Sequence, residues 1–139
     1  MSPSYYHAAI TGTIITEVNN TEKFRAFSEL TLLIDDNDYT PNISVYKRQK
    51  LSYHANEDVL KVEEMPLIAI EVLSPSRNMN ALMAEAKFYL RAGIQSVWIV
   101  QPFAHTISVF TKNGVKLYHD GFIDDLSGVK IKMAAIFEN

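Results

Sequence analysis

Residues 67–73 read Leu-Ile-Ala-Ile-Glu-Val-Leu, so the segment is apolar at every position except Glu71. An apolar run of this length is typical of a strand that is covered on both faces. Ser74 and Pro75 follow it, and the strand ends there because proline cannot donate to the ladder of a sheet. The pattern therefore predicts a buried central strand that contains one carboxylate. Such a charge is costly unless it is paired, binds a metal ion or lies at a cleft.

Helical spacing of apolar residues predicts two helices. The first is capped by Ser4 and runs to about residue 18, with one face formed by apolar residues four apart: Tyr6, Ile10, Ile14 and Val18. The second begins at a cap on Asn78 or Asn80 and ends at Gly93, with an apolar face that carries Leu82, Ala86, Tyr89 and Leu90. Each helix therefore has one face that can cover a sheet.

The other apolar and β-branched segments predict strands. Together with the central strand, they cover residues 24–34, 43–47, 67–73, 96–100, 106–111 and 115–119. Turn residues separate strands at 35–38 and at 112–114, where Lys-Asn-Gly predicts a hairpin. Segment 48–64 is polar and predicts a surface excursion, with a short strand or turn at 59–62. The order α-β-β-β-α-β-β-β predicts the α/β (mixed α+β) fold class, with one domain over residues 1–139 and a central mixed sheet flanked by helices.

Composition excludes several classes of site. The chain of 139 residues has no cysteine, so it forms neither disulfides nor thiolate metal sites, and its four histidines lack the paired spacing of a zinc site. Each histidine is expected to be an ordinary surface or core residue. The net charge of −3 gives no general attraction to nucleic acid, so DNA binding would need a local basic patch. No apolar run or leader pattern indicates a membrane segment, and a cytoplasmic location is expected.

Four short segments follow one another along the chain, and their combination is more specific than any one of them alone. They are 41–45 (Pro-Asn-Ile-Ser-Val), 70–76 (Ile-Glu-Val-Leu-Ser-Pro-Ser), 88–94 (Phe-Tyr-Leu-Arg-Ala-Gly-Ile) and 97–102 (Val-Trp-Ile-Val-Gln-Pro). The combination resembles the Uma2 family of endonuclease-like proteins, a branch of the PD-(D/E)XK restriction-endonuclease-like fold. The likeness covers roughly residues 24–119. It implies a restriction-endonuclease-like domain, metal-dependent cleavage of DNA, and Mg²⁺ or Mn²⁺ as the cofactor.

The resemblance also implies an aspartate after the proline, a glutamate in the buried strand and a lysine on the next helix. Glu71 matches the glutamate. Asn42 stands at the aspartate position, where its amide oxygen could still coordinate a cation but without negative charge, so Glu71 and Asn42 are the expected metal ligands and binding should be weakened. Glu85 stands at the lysine position. Lys87 lies two residues later, about 200° further round the helix, and is a poor substitute.

A further candidate is Glu29, because segment 27–30 (Phe-Ser-Glu-Leu) resembles a family strand that bears glutamate. On one continuous strand, Glu29 would share a face with Phe27 and Thr31, and it would point to the cleft of Glu71 or to water. Glu85 has two open interpretations: it could add a carboxylate to a cation site, or it could be a solvated side chain. The predicted catalytic set is Glu71, Asn42, Glu29, Glu85 and Lys87.

Three functional hypotheses remain open from the sequence. The first is a metal-dependent DNA endonuclease, with catalysis impaired by the substitutions at positions 42 and 85. The second is a catalytically degenerate nuclease-like module that binds nucleic acid or a protein. The third is a subunit with an assembly role alone. A homodimer is the expected oligomer.

Overall fold

The computed structural model describes residues 4–48, 58–75 and 77–137. Within them, three helices form in the order α1 (Tyr5–Asn19), α2 (Met79–Arg91) and α3 (Met133–Phe137). The strands of the same residues, in chain order, are β1 (Phe24–Ser28), β2 (Thr31–Ile34), β3 (Asn37–Tyr39), β4 (Ile43–Lys47), β5 (Lys61–Val62), β6 (Ile68–Val72), β7 (Ser96–Gln101), β8 (Thr106–Thr111), β9 (Gly114–Tyr118), β10 (Phe122–Asp124) and β11 (Lys130–Lys132). None of these helices combines the length and apolar character that crossing a bilayer requires.

The central sheet has six strands in the order β1-β4-β6-β7-β8-β9. Neighbouring strands are antiparallel except β6 and β7, which are parallel and are joined through α2. Two small sheets, β10-β11 and β3-β2-β5, stand beside it. The predicted fold class, a mixed sheet flanked by helices, is confirmed.

Strand alternation divides the core between the two faces of the central sheet. Ile70 and Trp98 belong to the apolar cluster that α1 covers, whereas Ala69 and Ile99 belong to the cluster that α2 covers. Successive side chains of a strand point to opposite faces, so Glu71 shares the face of Ala69. The carboxylate of the central strand therefore lies under α2.

Helix α1 has the predicted cap and length, but one residue of its predicted apolar face is not buried. Ser4 Oγ accepts a hydrogen bond from the His7 N–H. The buried residues are His7, Ile10, Ile14 and Val18, whereas Tyr6 is 50% exposed. The prediction for Tyr6 was wrong because a buried helical stripe uses steps of three as well as four, and a step of three back from Ile10 reaches His7.

Helix α2 confirms the predicted apolar face, with Leu82, Ala86 and Tyr89 buried. Asn78, rather than Asn80, is the cap, and its side chain accepts a hydrogen bond from the Ala81 N–H. The helix ends just before Gly93, whose φ of 105° is the left-handed conformation that favours glycine. These local signals place the start of α2 close to the end of β6.

The prediction of one strand over 24–34 was wrong. The segment forms β1 and β2, separated at Glu29, whose φ is 52°. An extended ladder cannot continue through a left-handed residue, so β1 pairs with β4 while β2 turns away to pair with β3 and β5. The single face expected for Phe27, Glu29 and Thr31 therefore does not exist.

The other element boundaries predicted from the sequence differ from the structure at turns and after residue 119. Asp35 and Asp36 form the predicted turn, but Asn37 and Asp38 already belong to β3. Most of the predicted excursion at 48–64 lies outside the described residues, and β5 forms within its predicted short strand. After residue 119 the sequence predicted no element, whereas β10, β11 and α3 form there, so the predicted element order was incomplete.

Asp125 joins this last part of the chain to the central sheet. Its Oδ2 accepts hydrogen bonds from Trp98 Nε1 at 2.8 Å and from Ser96 Oγ at 2.5 Å. The indole of Trp98 is buried, so its N–H needs such a partner. This contact holds the segment after β9 against the sheet face that α1 covers.

Candidate active site

Glu71 and Asn42 meet at the end of two paired strands. Glu71 precedes the last residue of β6 and is 4% exposed. The register of β4 and β6 pairs Ile43 with Ile70, which places Asn42 beside Glu71 one step further along the ladder. The Asn42 N–H donates to Glu71 Oε1 at 3.4 Å. The two residues expected as metal ligands are therefore neighbours.

Glu85 on α2 contacts the side chain of Glu71. Burial raises the pKa of Glu71 to about 9, and a hydrogen bond with the Glu85 carboxyl and the charge of Glu85 add to the rise. Arg77 and the Asn42 N–H act in the opposite direction. The raised pKa favours the protonated form of Glu71, whose hydroxyl can donate to an oxygen of the Glu85 carboxyl. Burial, followed by the nearby Glu71 and Glu85 carboxyls, also raises the pKa of the Tyr89 hydroxyl.

Arg77 is the basic side chain at this acidic pair. Its Nη2 lies 3.9 Å from Glu85 Oε1, and both side chains are partly exposed. Glu85 Oε1 itself is buried and has no N–H or hydroxyl hydrogen-bond partner in the described part of the chain. Arg77 was not among the site residues predicted from the sequence. The available signal was its position one residue before the Asn78 cap, because the start of α2 lies close to the end of β6.

The side chain of Asn42 already has two hydrogen-bond partners. Asn42 Oδ1 accepts from the Val72 N–H at 2.8 Å and lies 3.3 Å from His7 Nε2. Coordination of a cation by this oxygen stays a prediction. His7 was expected to be an ordinary histidine, and nothing in its sequence neighbourhood signalled a contact with residue 42, which is 35 positions away.

The side chains of Glu29 and Lys87 do not join the cluster of Glu71, Asn42 and Glu85. The Glu29 N–H donates to the Asn42 carbonyl oxygen at 3.1 Å, so its backbone reaches the same sheet edge, but its side chain is exposed. Lys87 is exposed on α2, as its helical position predicted. The structure thus brings together Glu71, Asn42 and Glu85.

A small hard cation fits this donor set in part. No group of three or more histidine, aspartate or glutamate residues in the described ranges is placed to hold a metal ion. Mg²⁺, however, needs only one or two carboxylates, since it keeps several of its waters. Glu71 and Glu85 supply that number, and Glu85 Oε1, which has no hydrogen-bond partner among the described residues, is an oxygen that could bind such an ion. A cation held by these residues would need the ionised form of Glu71, so its binding would compete with protonation of that carboxyl.

Comparison with known proteins gives a family and a fold. The model of the Uma2 family, described as "Putative restriction endonuclease", matches residues 1–128. The crystal structure of a nuclease described as putative and belonging to DUF820, from Anabaena variabilis ATCC 29413, matches with a TM-score of 0.84 and 22% identity, over 99% of this chain and 83% of that chain. A DrdV–DNA complex matches at a TM-score of 0.46 and 7% identity, over 96% of this chain and 11% of that chain, which is too distant to carry an argument. No curated protein matches the chain.

Proposed function

We propose that this chain, which belongs to the Uma2 family, is a divalent-metal-dependent DNA endonuclease with a weakened active site. The observation that carries the proposal is the pair of carboxyls formed by buried Glu71 and by Glu85 at the end of β6. The family resemblance implies that a phosphodiester would be cleaved at these strand ends, beside the metal ion.

Glu71 and Glu85 are the residues that would hold the Mg²⁺ or Mn²⁺ ion. When bound, the ion would polarise a phosphoryl oxygen and lower the pKa of an attacking water. Glu71 must lose its proton before it can act as a ligand, because a protonated carboxyl is a poor partner for a cation. With a pKa near 9, this loss opposes metal binding at neutral pH. The site therefore needs a higher metal concentration or a higher pH than a site of ionised carboxylates.

Arg77 supplies positive charge at this pair, and no lysine of the described residues forms an ion pair with either carboxyl. Arg77, at 3.9 Å from Glu85, can turn its guanidinium toward a phosphate oxygen and offset the charge that develops there. A guanidinium stays protonated at any working pH, so it cannot remove a proton from water. Loss of the general base is the main reason to expect slow cleavage.

The second candidate function is a degenerate nuclease-like module that binds nucleic acid or a protein. Two observations favour it: a carboxylate, Glu85, occupies the position at which the family resemblance implies lysine, and Asn42 Oδ1 is already engaged by the Val72 N–H. The homodimer and the cytoplasmic location stay predictions. Light scattering of the purified chain tests the homodimer against the monomer mass of 15.7 kDa.

Cleavage of supercoiled plasmid and of single-stranded DNA with Mn²⁺ separates the two candidates. Glu71→Gln keeps the shape and removes the ligand, and Glu63→Gln is the matched control on an exposed glutamate. Slow cleavage by the native chain and the control, lost in Glu71→Gln, supports the endonuclease. No cleavage by the native chain at any Mn²⁺ concentration or pH, with DNA still bound, supports the binding module.

A further inference from the structure

A buried histidine of α1 contacts the edge of the sheet at which the carboxyls meet. His7 is 8% exposed, and its Nε2 lies 3.3 Å from Asn42 Oδ1. Its Nδ1 is buried without a hydrogen-bond partner in the part of the chain that the structure describes. Burial of an imidazole nitrogen without a hydrogen-bond partner lowers the stability of the folded state. The nuclease chemistry proposed above does not use this histidine.

The neighbours of Asn42 determine the orientation of its amide. The Val72 N–H can only donate, so the side-chain atom 2.8 Å from it is the oxygen, Oδ1. Because Oδ1 can only accept, the His7 Nε2 that also faces it must carry a proton. The amide oxygen is therefore held by one donor from β6 and one donor from α1. The amide nitrogen, Nδ2, is the terminal atom left for other contacts.

We infer that His7 is a positioning residue that, together with the Val72 N–H, decides which atom of residue 42 is presented to a ligand. In this chain that atom is Nδ2, which has two N–H groups and no lone pair. Residue 42 then donates to a phosphate oxygen and does not coordinate the cation, which differs from the role expected from the sequence.

The same geometry has a consequence for aspartate at position 42. One oxygen of an Asp side chain would accept from the Val72 N–H and from His7, and its second oxygen would take the place of Nδ2. That second oxygen would be oriented and free to bind a cation. Without the donor on His7, only the Val72 N–H would hold the aspartate carboxylate, which could then rotate. Part of the gain in metal affinity would therefore be lost.

Nitrogen NMR of the native chain tests the inference without any metal. The expected result is a His7 ring with the proton on Nε2 and with a signal that shifts in Asn42→Ala. A His7 ring with the proton on Nδ1 and bare Nε2 would overturn the inference, since such a ring cannot donate to Asn42 Oδ1. This measurement needs no substitution at His7 and does not depend on whether the chain cleaves DNA.

Calorimetric titration with Mn²⁺ tests the consequence, which rests on the proposed metal site. We expect Asn42→Asp to bind Mn²⁺ about tenfold more tightly than the native chain, and Asn42→Asp/His7→Phe to lose most of that gain. Asn42→Asp/His7→Gln should retain it, because the glutamine amide keeps an N–H donor near the position of Nε2. Equal affinities of Asn42→Asp with and without His7 would overturn the inference. If no variant binds Mn²⁺, the proposed metal function fails, and the NMR result alone decides the role of His7.

Discussion

The carboxyls of Glu71 on β6 and Glu85 on α2 form a hydrogen-bonded pair beneath the helix, and burial together with this contact raises the pKa of Glu71 to about 9. Two carboxylates so close repel each other, and burial removes the water that would screen them. Both effects favour a proton held within the pair in the folded state. This one relationship links the stability of the fold, its response to pH and its capacity for a metal ion.

Because the pKa of Glu71 is raised in the folded state, the free energy of unfolding should fall as the pH rises. Its pKa rises from 4.5 to about 9 on folding, so the folded state holds a proton that the unfolded state releases over this range. The stabilisation from this group is complete below the unfolded value and is lost as the pH rises through the folded value. Urea unfolding of the native chain should show a decline of up to about 1.4 kcal/mol per pH unit. Glu71→Gln, which does not ionise, should decline less, with Glu63→Gln as the control. Parallel profiles for all three proteins would contradict the prediction.

Binding of Mn²⁺ should release a proton. Because Glu71 must ionise before it can act as a ligand, the affinity should rise with pH, by up to about tenfold per unit, until the pH passes the pKa near 9. Titration calorimetry in two buffers of different ionisation enthalpy measures the number of protons released, and we expect a value close to one. A proton release near zero would place the ion away from Glu71.

Arg77→Ala should weaken cleavage by removing the guanidinium that is expected to meet the phosphate. A hydrogen bond to a charged group contributes about 1.5 to 3 kcal/mol, which corresponds to roughly a 10- to 100-fold lower rate. Arg91→Ala, on an exposed arginine at the far end of α2, is the matched control. Plasmid cleavage and the salt dependence of DNA binding report the effect. Equal losses in the two variants would indicate a general effect of charge.

Glu85→Lys should lower Mn²⁺-dependent plasmid cleavage, because it replaces one of the two carboxylates proposed to hold the ion with a positive charge. The loss should be at least about tenfold, since even residues that only orient metal ligands contribute about that much. The new amine stands where the family resemblance implies a catalytic lysine. A higher rate in this variant would therefore show that Glu85 is not a metal ligand and that cleavage lacked a general base. Lys87→Gln, on the exposed face of α2, is the control and should cleave at the native rate.

The candidate site was predictable only in part from the sequence. Glu71 was visible because a carboxylate inside an apolar strand is an anomaly in a local pattern. Its contact with Asn42 followed from the family resemblance. Arg77 and His7 carried no local anomaly, so their contacts emerged only when α1 and the β6–α2 connection were placed against the sheet.

Local chemistry in the sequence determined the cap on Ser4, a cap of α2 at Asn78 or Asn80, the buried strand at 67–73 and the hairpin at 112–114, because each depends on residues a few positions apart. Tertiary structure decided the break at Glu29, the pairing of Glu71 with Glu85 and the orientation of the Asn42 amide. Each of these depends on which groups from distant segments compete for the same hydrogen bonds and the same buried space. A one-dimensional pattern does not contain that competition, so only the folded arrangement shows that the central carboxylate is paired with another acid.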